Sequence, residues 1–494
     1  MENWQPDRAS HIPLHLQIKA YIINKIANGE WPVGTKIPPQ RKLAEAFGVN
    51  RSTIVAAMDE LTADGFIEGS SGAGTIVVNH TWSVMASTPP PDWTSYVKSG
   101  AHSANLPTIQ QINEAEFRPG IIRLGTGELA KELLPSHRMQ EVLQSISLQA
   151  VPLGYEEPKG NYALRQHISR HVKSLGITAS PSSILIVSGA LQALQLISLG
   201  LLHRGSTVLL EKPSYLYSVP VFPSAAMNME GIPLDNEGID VSLLPSCKKR
   251  HNGALLYTIP CYHNPTGVMM TQQRREQLMD VCNKEGLPVI EDDVYRDLWL
   301  DNPPPAPLKA MDANGIVLYL GSFSKTVSPG LRIGWVIGPE PVIQRLADIK
   351  MQTDYGSSSI SQWAAAEWLS TGLYEEHLQT VRRQLAVRRD ACLTALEKHF
   401  GSLGTWNMPS GGFYIWLCLP RPLHMGKLFE LALKDGILLN PGYLYDKDNS
   451  RHLRISYAYA SLTDMEKGLE RLSRIVRDLM NLNGDGGCKL ASEV

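Results

Sequence analysis

The stretch GSFSKTVSPGLRIGW, residues 321–335, places a lysine, Lys325, in a serine-rich turn between glycines, with Arg332 seven residues later. A lysine in such a loop is usually a solvated surface residue, because its ammonium group prefers water. The stretch continues the apolar run GIVLYLGS, which predicts a buried strand. The role of Lys325 therefore depends on the fold that places this strand and turn beside other polar groups.

Apolar strands alternate with helical patterns from about residue 121 onward. The runs are ILIVSG, TVLLEKP, GALLYTIP, LPVIEDDV and GIVLYLGS, each followed by a turn and often by a helix. Near-continuous apolar strands separated by helices are typical of a parallel-rich sheet that helices cover on both faces. We therefore predict an α/β domain over residues 120–482.

An aldehyde cofactor such as pyridoxal 5'-phosphate (PLP) would explain a lysine in this turn. It needs a lysine amine for a Schiff base and an acid facing the pyridine nitrogen, so that the ring accepts electrons. It also needs a cradle for its phosphate, which N–H groups at a helix start and an arginine fork supply. An aromatic face and donors to the ring hydroxyl complete the set.

Successive segments of the chain supply these groups in order. A strand ends at Gly189 and Ala190 where a helix begins, and Asp292 ends the buried strand of IEDDVYRDL. Each segment alone is a weak signal, because an aspartate at a strand end is often only a helix cap. Their combination and order make a PLP site a specific prediction. The remaining candidates are Tyr215 in EKPSYLY, Asn264 in CYHNPTG, Tyr295, Ser322, Ser324, Lys325 and Arg332.

The combined pattern of NPTG, D-x-x-Y and S-x-S-K-x-x-x-P-G-L-R-x-G resembles fold-type I, class I aminotransferases over residues 120 to 480. The resemblance implies an α/β PLP-binding domain with a smaller C-terminal α+β subdomain. It implies that Lys325 carries the Schiff base and that Asp292 pairs with the ring nitrogen. It assigns the phenolic oxygen to Tyr295 and Asn264, stacking to Tyr215, and the phosphate to Gly189, Ala190, Ser322, Ser324 and Arg332.

Two further segments match that family. In LGYEEPKGNYALR the family's tyrosine, here Tyr155, reaches the phosphate of the neighbouring subunit in a homodimer. In RHLRISYA the family's arginine, here Arg454, forks the substrate carboxylate. The expected catalytic residues are thus Lys325, Asp292 and Tyr295, and no metal is expected.

Two departures from the family pattern leave the ligand open. Leu191 stands where many relatives have a polar residue beside the phosphate cradle, and GTGELAKELLP replaces a proline-bearing segment that lines the substrate pocket. GTGELA also mimics a G-x-G-x-x-A dinucleotide fingerprint, but the strand–helix frame of such a fingerprint is missing and Pro135 follows. The cofactor is therefore better predicted than the ligand.

Residues 10–80 predict a separate unit. Ile18, Ile22 and Ile26 share one face of the first of three helices, and FIEGSSGAGTIVV predicts a glycine-tipped hairpin. Helix, turn, helix and hairpin are the plan of a winged helix-turn-helix, whose third helix enters the major groove of DNA. The overall charge gives the prediction of DNA binding little support, because the first eighty residues hold seven basic and eight acidic side chains. Positive charge is instead concentrated at Lys36, Arg41, Lys42 and Arg51.

The segment from PLHLQIK to GAGTIV resembles the winged-helix domain of the GntR family over its whole length. The resemblance implies that double-stranded DNA is a partner. An arginine at the start of the third helix can bond two acceptors on a guanine edge. The alternative is a small helical domain that binds protein. The residues that match the DNA contacts of the family are Arg41, Arg51, Ser52, Thr53 and Gly72.

The chain is not expected to enter a membrane. ILIVSGALQALQLISLGLL, residues 184–202, is long and uncharged, but Ser188 and Gly189 divide it into a buried strand and a buried helix. The start lacks a signal-peptide pattern and the six cysteines form no CxxC pair, so we expect a cytoplasmic protein. Residues 81–119 are expected to be a linker, and residues 483–494 a disordered tail.

The two halves together resemble the MocR/GabR family of bacterial transcriptional regulators, over nearly the whole chain. The resemblance implies a dimeric, PLP-dependent DNA-binding regulator that senses a small amino acid or amine through Schiff-base exchange at Lys325. A working aminotransferase with an accessory DNA-binding domain is the main alternative, because every catalytic group is present. A cofactor-free protein, which would be colourless, is a further alternative.

Overall fold

The computed structural model of the chain describes residues 4–70, 74–78, 99–100, 105–147 and 154–485. These residues fall into two compact units, Met1–Gly100 and Ala101–Val494. The N-terminal unit contains three helices and a two-stranded antiparallel hairpin, namely α1 (Leu14–Ala27), α2 (Gln40–Phe47), α3 (Arg51–Ala63), β1 (Ile67–Ser70) and β2 (Gly74–Val77).

The N-terminal unit has the predicted winged-helix plan. Ile18, Ile22 and Ile26 are buried in one core with residues of α2, α3 and the hairpin, as the period of the first helix predicted. Gly48 ends α2 in a left-handed conformation with a φ of 61°, which glycine adopts without a steric penalty. Lys36 forms an additional antiparallel bridge to Ile76, so the segment before α2 also joins the hairpin.

The C-terminal unit alternates strands and helices. Its helices are α4 (Pro107–Ala115), α5 (Ser136–Ser147), α6 (Tyr162–Lys173), α7 (Ala190–Gly200), α8 (Val221–Ser224), α9 (Leu244–His251), α10 (Gln272–Glu285), α11 (Glu340–Thr353), α12 (Ser359–Ser370), α13 (Leu373–Phe400), α14 (Met425–Lys434) and α15 (Leu462–Asp485). Its strands are β3 (Ile122–Arg123), β4 (Ile184–Val187), β5 (Thr207–Lys212), β6 (Asn228–Asp235), β7 (Gly238–Ile239), β8 (Gly253–Thr258), β9 (Val289–Asp292), β10 (Val317–Ser322), β11 (Gly334–Ile337), β12 (Thr405–Trp406), β13 (Tyr414–Cys418), β14 (Ile437–Leu438), β15 (Asn440–Pro441) and β16 (His452–Ser456).

Eight strands form the main sheet, in the order β4-β11-β10-β9-β8-β5-β6-β7. The five central strands from β10 to β6 run parallel, whereas β11 is antiparallel to both of its neighbours. The carboxyl ends of parallel strands meet at one edge of a sheet, where α/β proteins bind ligands. The turns after β5, β8, β9 and β10 therefore lie along the same edge.

Both faces of the main sheet are buried. In β8, Leu255 and Tyr257 pack into one hydrophobic cluster, whereas Leu256 packs into another on the opposite face. The first cluster contains residues of α7 and α11, and the second contains Leu278 of α10. Alternate residues of a strand point to opposite faces, so the near-continuous apolar runs in the sequence match a sheet covered on both sides, as predicted.

A second, antiparallel sheet has the order β12-β13-β16-β15 and packs with the long helix α13 and with α15 in the predicted α+β subdomain. The two-residue strand β14 pairs in parallel with β3, which lies more than three hundred residues earlier in the chain. Strands of two residues carry no periodic signal, which is why this pairing has no counterpart in the sequence analysis.

The ends of the C-terminal unit differ from the sequence expectations. Helix α4 lies inside the segment 81–119 assigned to a linker, and its Ile112 and Ala115 pack into the main core of the unit. These two buried residues are too few to stand out against the surrounding polar sequence. The last helix, α15, continues to Asp485, three residues into the segment expected to be a disordered tail; the rest of that tail lies outside the described residues.

The uncharged stretch 184–202 divides into the strand β4 and the helix α7, as predicted. Within the described ranges, every helix falls short of the length and apolar character that crossing a membrane requires.

Candidate functional site

A cavity of about 350 Å³ lies at the carboxyl edge of the main sheet. Its wall includes every residue predicted for the cofactor and the substrate except Tyr155. They are Gly189, Ala190, Tyr215, Asn264, Asp292, Tyr295, Ser322, Ser324, Lys325, Arg332 and Arg454. Because β16 carries Arg454, the smaller subdomain contributes to the same cavity as the main sheet.

Asp292 is the last residue of β9 and is 5% exposed. Its Oδ2 accepts a 2.7 Å hydrogen bond from the hydroxyl of Tyr257 on the neighbouring strand β8. Its Oδ1 has no hydrogen-bond partner within the described part of the chain. Burial raises the pKa of the Asp292 carboxyl to about 6, because the charged form loses its hydration. The free oxygen of Asp292 can thus accept a hydrogen bond from a cationic ligand that enters the cavity.

Lys325 lies in the turn after β10 and lines the cavity. Its Nζ donates a 2.7 Å hydrogen bond to the carbonyl oxygen of Gly127. A Cβ atom at position 127 would lie 2.2 Å from the hydroxyl of Tyr414, so glycine is required for this close approach. The ammonium group of Lys325 is therefore held in the cavity by a neutral acceptor rather than by a carboxylate.

A cradle for an anion forms where β4 meets α7. Gly189 precedes the first turn of α7 with a φ of 88°, and the N–H groups at this helix start attract negative charge. Arg332 donates a 2.6 Å hydrogen bond to the carbonyl oxygen of Ser188, and its backbone is left-handed with a φ of 53°. Residues other than glycine seldom adopt this backbone conformation, and such strained residues cluster at functional sites. The arginine fork and the start of the helix together can bind an anion.

The two predicted serines have different surroundings. The hydroxyl of Ser322 donates to the carbonyl oxygen of Ile333 at 3.1 Å and accepts from the N–H of Ser324 at 3.1 Å. Ser322 therefore already uses its only O–H donor to shape the turn that carries Lys325. Ser324 is half-buried, and its Oγ lies 3.5 Å from Nη1 of Arg332. Of the two hydroxyls, that of Ser324 is the better placed to meet an anion.

Arg454 is 6% exposed and lines the cavity from β16. Its Nη1 donates to Oδ1 of Asn264 at 2.9 Å, and its Nη2 donates to the carbonyl oxygen of Gly125 at 2.6 Å. The guanidinium carbon lies 4.3 Å from the ring centroid of Tyr414 and 4.9 Å from that of Tyr445. Two aromatic rings and two neutral acceptors hold the arginine without neutralising it, so its charge is free to bind a carboxylate.

The sequence analysis did not identify some residues in or beside the cavity. Tyr414 lines the cavity, and its hydroxyl lies 3.1 Å from that of Tyr295; Tyr257 does not line it but donates a hydrogen bond to Asp292. Tyr257 sits within an apolar strand where an aromatic residue signals only a core position. Glu116 and Glu128 also line the cavity. Glu128 belongs to the segment GTGELAKELLP, which departs from the family pattern. That departure was the signal in the sequence that could have identified Glu128 as a cavity residue.

Tyr155 differs from the other predicted residues. It is 83% exposed and does not line the cavity of its own chain. Its ring makes an edge contact with the ring of Tyr355, at 4.8 Å between centroids.

The predicted DNA contacts of the N-terminal unit lie on its surface. Arg51 and Ser52 are exposed in the first turn of α3, and Thr53 beside them is half-buried. Arg41 is exposed in the first turn of α2, with its Nε 3.4 Å from Glu45. Gly72, predicted at the tip of the hairpin, lies outside the described residues. The start of α3 thus presents a guanidinium and hydroxyl groups to solvent, which are the groups that read base edges.

Family models match both units. Residues 14–77 match the model of bacterial regulatory proteins of the gntR family, and residues 119–472 match the model of class I and II aminotransferases. The chain is 56% identical to the HTH-type transcriptional regulator YisV of Bacillus subtilis, over 97% of this chain and 99% of that protein. It is 33% identical to the HTH-type transcriptional regulator NorG of Staphylococcus aureus, over 90% of this chain and 99% of that protein.

Solved aminotransferases share the fold of the C-terminal unit. A kynurenine aminotransferase of Pyrococcus horikoshii matches with a TM-score of 0.74 and 30% identity, over 78% of this chain and 98% of that chain. A multiple substrate aminotransferase of Thermococcus profundus matches with a TM-score of 0.73 and 27% identity, over 79% of this chain and 100% of that chain.

Proposed function

Because this chain belongs to the family of HTH-type transcriptional regulators that join a GntR DNA-binding domain to a class I and II aminotransferase domain, we propose that it binds PLP and regulates transcription in response to an amino acid or amine. The observation that carries the proposal is the free, buried carboxylate oxygen of Asp292 in the same cavity as Lys325. A buried carboxylate without a cationic partner is costly, and a protonated ring nitrogen is the partner that it lacks.

The residues of the cavity fit PLP in charge and chemistry. Gly189, Ser324 and Arg332 would hold the phosphate at the start of α7. Asp292 would bond the ring nitrogen, and Lys325 would hold the aldehyde carbon. When bound, PLP supplies an aldehyde that condenses with amines and a ring that accepts electrons. Asn264 and Tyr295 would donate to the ring hydroxyl, and Tyr215 would supply the stacking ring.

Arg454 selects the ligand in this proposal. Among the described residues its guanidinium contacts neutral groups only, so an amino acid carboxylate would bind it with two hydrogen bonds and would displace the carbonyl of Gly125 or the amide of Asn264. Asn264 would thus contact both Arg454 and the cofactor. If the ligand carboxylate displaces the amide of Asn264, binding of an amino acid changes the hydrogen bonding of the loop that carries Asn264.

In this proposal the N-terminal unit binds DNA. We propose that Arg51, Ser52 and Thr53 contact base edges, and that Arg41 contacts a phosphate. One such unit offers few charges, so tight binding needs two linked units on two half-sites. Tyr155 is exposed and does not line the cavity of its own chain, which supports a homodimer in which it reaches the cavity of the partner. An amine changes the DNA affinity only if the dimer has two conformations that differ in DNA affinity and the amine binds one of them more tightly than the other.

The visible spectrum of the full chain loaded with PLP tests this proposal. Addition of amino acids one at a time should shift the absorption band of wild-type protein, and the Lys325→Ala variant should lack the starting band. A band that shifts and stays supports a sensor. A band that bleaches and returns with a keto acid identifies an aminotransferase, the second candidate, which the assembled catalytic residues favour. A protein that never takes up PLP contradicts both.

A further inference from the structure

Thr126, Gly127 and Glu128 line the cavity, and the preceding residue, Gly125, contacts Arg454. The carbonyl oxygen of Gly125 accepts from Arg454, and that of Gly127 accepts from Lys325. The buried hydroxyl of Thr126 donates a 3.0 Å hydrogen bond to Oε1 of Glu116. Because Glu116 and Glu128 also line the cavity, this wall adds two carboxylates beside the groups that bind the ligand.

These two carboxylates remain unmatched when the charges of the cavity are paired. In the proposed function, Arg332 binds the phosphate and Arg454 binds the ligand carboxylate. Lys325 is joined to the cofactor aldehyde and so needs no carboxylate partner. The proposed function likewise pairs Asp292 with the ring nitrogen. Throughout the described ranges, Glu116 and Glu128 have no basic side chain within ion-pair distance.

Two buried polar atoms of the cavity residues have no hydrogen-bond partner among the described residues. Arg454 is more than nine-tenths buried, yet its Nε has no partner among the residues that the structure describes. Oδ1 of Asp292 is likewise buried and has no hydrogen-bond partner within the described part of the chain. Buried polar groups are normally hydrogen-bonded, so these atoms mark a binding site independently of the two glutamates.

We propose that the effector is an amino acid whose side chain carries a second amine, and that Glu128 and Glu116 bind that amine. This inference rests on the proposed function, since Arg454 and the cofactor fix the other end of the ligand. A neutral aliphatic side chain would take water from the two half-buried carboxylates and return no hydrogen bond. An ammonium group would supply up to three donors to them.

The test compares pairs of amino acids that differ only in the distal amine. L-Lysine and L-norleucine form one pair, and L-ornithine and L-norvaline form the other. Each is titrated into the full chain loaded with PLP, and the midpoint of the absorbance change is read beside the midpoint of the change in thermal unfolding. The variants are Glu128→Gln and Glu116→Gln. The matched control is Glu114→Gln, which removes a charge from an exposed site on the same helix region as Glu116.

The diamino acids should bind wild-type protein about tenfold or more tightly than their neutral partners, the effect of one charge-assisted hydrogen bond. Glu128→Gln and Glu116→Gln should each reduce that preference several-fold, and Glu114→Gln should leave it unchanged. Equal or tighter binding of norleucine and norvaline by wild-type protein would overturn the inference but leave the proposed function in place. A response to none of the four, and to no other amino acid or amine, would overturn the proposed function itself.

Discussion

Arg454 donates a 2.9 Å hydrogen bond to Oδ1 of Asn264, which lies 190 residues earlier in the chain, so the smaller subdomain and the main sheet meet at this contact. The planar fork of arginine can bind a carboxylate with two parallel bonds, which an ammonium group cannot reproduce. We therefore expect Arg454→Lys to weaken the response to amino acids by about 10- to 100-fold.

The control for Arg454→Lys is a simple amine without a carboxylate, such as ethylamine. Its absorbance titration should give the same midpoint in wild-type and variant protein. If Arg454→Lys weakened the response to ethylamine as much as the response to amino acids, the arginine would serve the structure of the cavity rather than its ligand.

Gly189→Ala should weaken the binding of PLP. A Cβ atom at this position would lie 2.5 Å from Nη2 of Arg332, and the φ of 88° is unfavourable for alanine. Gly205→Ala is a matched control, because Gly205 has a φ of 82° but no atom within 4 Å of its Cβ position. Both variants should lose about 1 kcal/mol of folding free energy from backbone strain.

Only Gly189→Ala should also lose affinity for PLP, by about tenfold or more, because it displaces the guanidinium that would hold the phosphate. Fluorescence titration of the cofactor-free chains measures this affinity. Equal losses in the two glycine variants would show that strain alone, and not the contact with Arg332, governs binding.

Asp292→Asn should stabilise the cofactor-free protein near pH 8. The folded pKa of about 6 lies above the ordinary value of 3.8, so the favourable contribution of the protonated form is complete below about pH 4. It is lost as the pH rises through 6, where the buried carboxylate must ionise. The difference of 6 − 3.8 corresponds to about 3 kcal/mol of unfolding free energy.

Asparagine keeps an oxygen that can accept from Tyr257 and carries no charge, so the variant should escape this loss. Denaturant unfolding of wild type and Asp292→Asn between pH 4 and pH 8 measures the difference, which should grow with pH. The variant should bind PLP more weakly at every pH above 6. A variant that is less stable than wild type at pH 8 would contradict the assignment of Asp292 as an uncompensated buried charge.

Arg51→Ala should weaken binding to a selected DNA site by about 10- to 100-fold, because a bidentate contact to a guanine contributes about 1–3 kcal/mol. DNA selected by the protein from a random library supplies the site, and fluorescence anisotropy gives the affinity. Arg118→Ala removes the same charge from the C-terminal unit, at an exposed position, and should change the affinity little. Equal affinities of Arg51→Ala and wild type would favour the alternative of a protein-binding domain.

The sequence indicated which residues would lie together where a motif fixes their spacing. Asp292 ends a strand, and Lys325 and Arg332 lie after another; the apolar runs of both strands are unambiguous, and the topology of a parallel sheet then brings the strand ends together. Tyr257 and Tyr414 could not be identified, because their roles depend on which neighbouring strand each faces. A single strand carries no information about that register.

Weak local signals explain the other differences. The strands β3 and β14 have two residues each, which is below the length at which a period can be read. Helix α4 buries only Ile112 and Ala115, so tertiary packing rather than its own pattern defines it. Glu116 lies ten residues before Thr126 in the chain, and only the folded structure brings it to the cavity, where it accepts a hydrogen bond from Thr126.

The most direct test of the account measures the affinity of the full, PLP-loaded chain for its selected DNA site, with and without saturating amino acid, in wild type and in Lys325→Ala. The account predicts that the amino acid changes the DNA affinity of wild-type protein by about fivefold or more, a typical coupling between two sites, and that Lys325→Ala shows no change. Equal DNA affinity with and without every amino acid or amine that alters the absorption band of wild-type protein would contradict it.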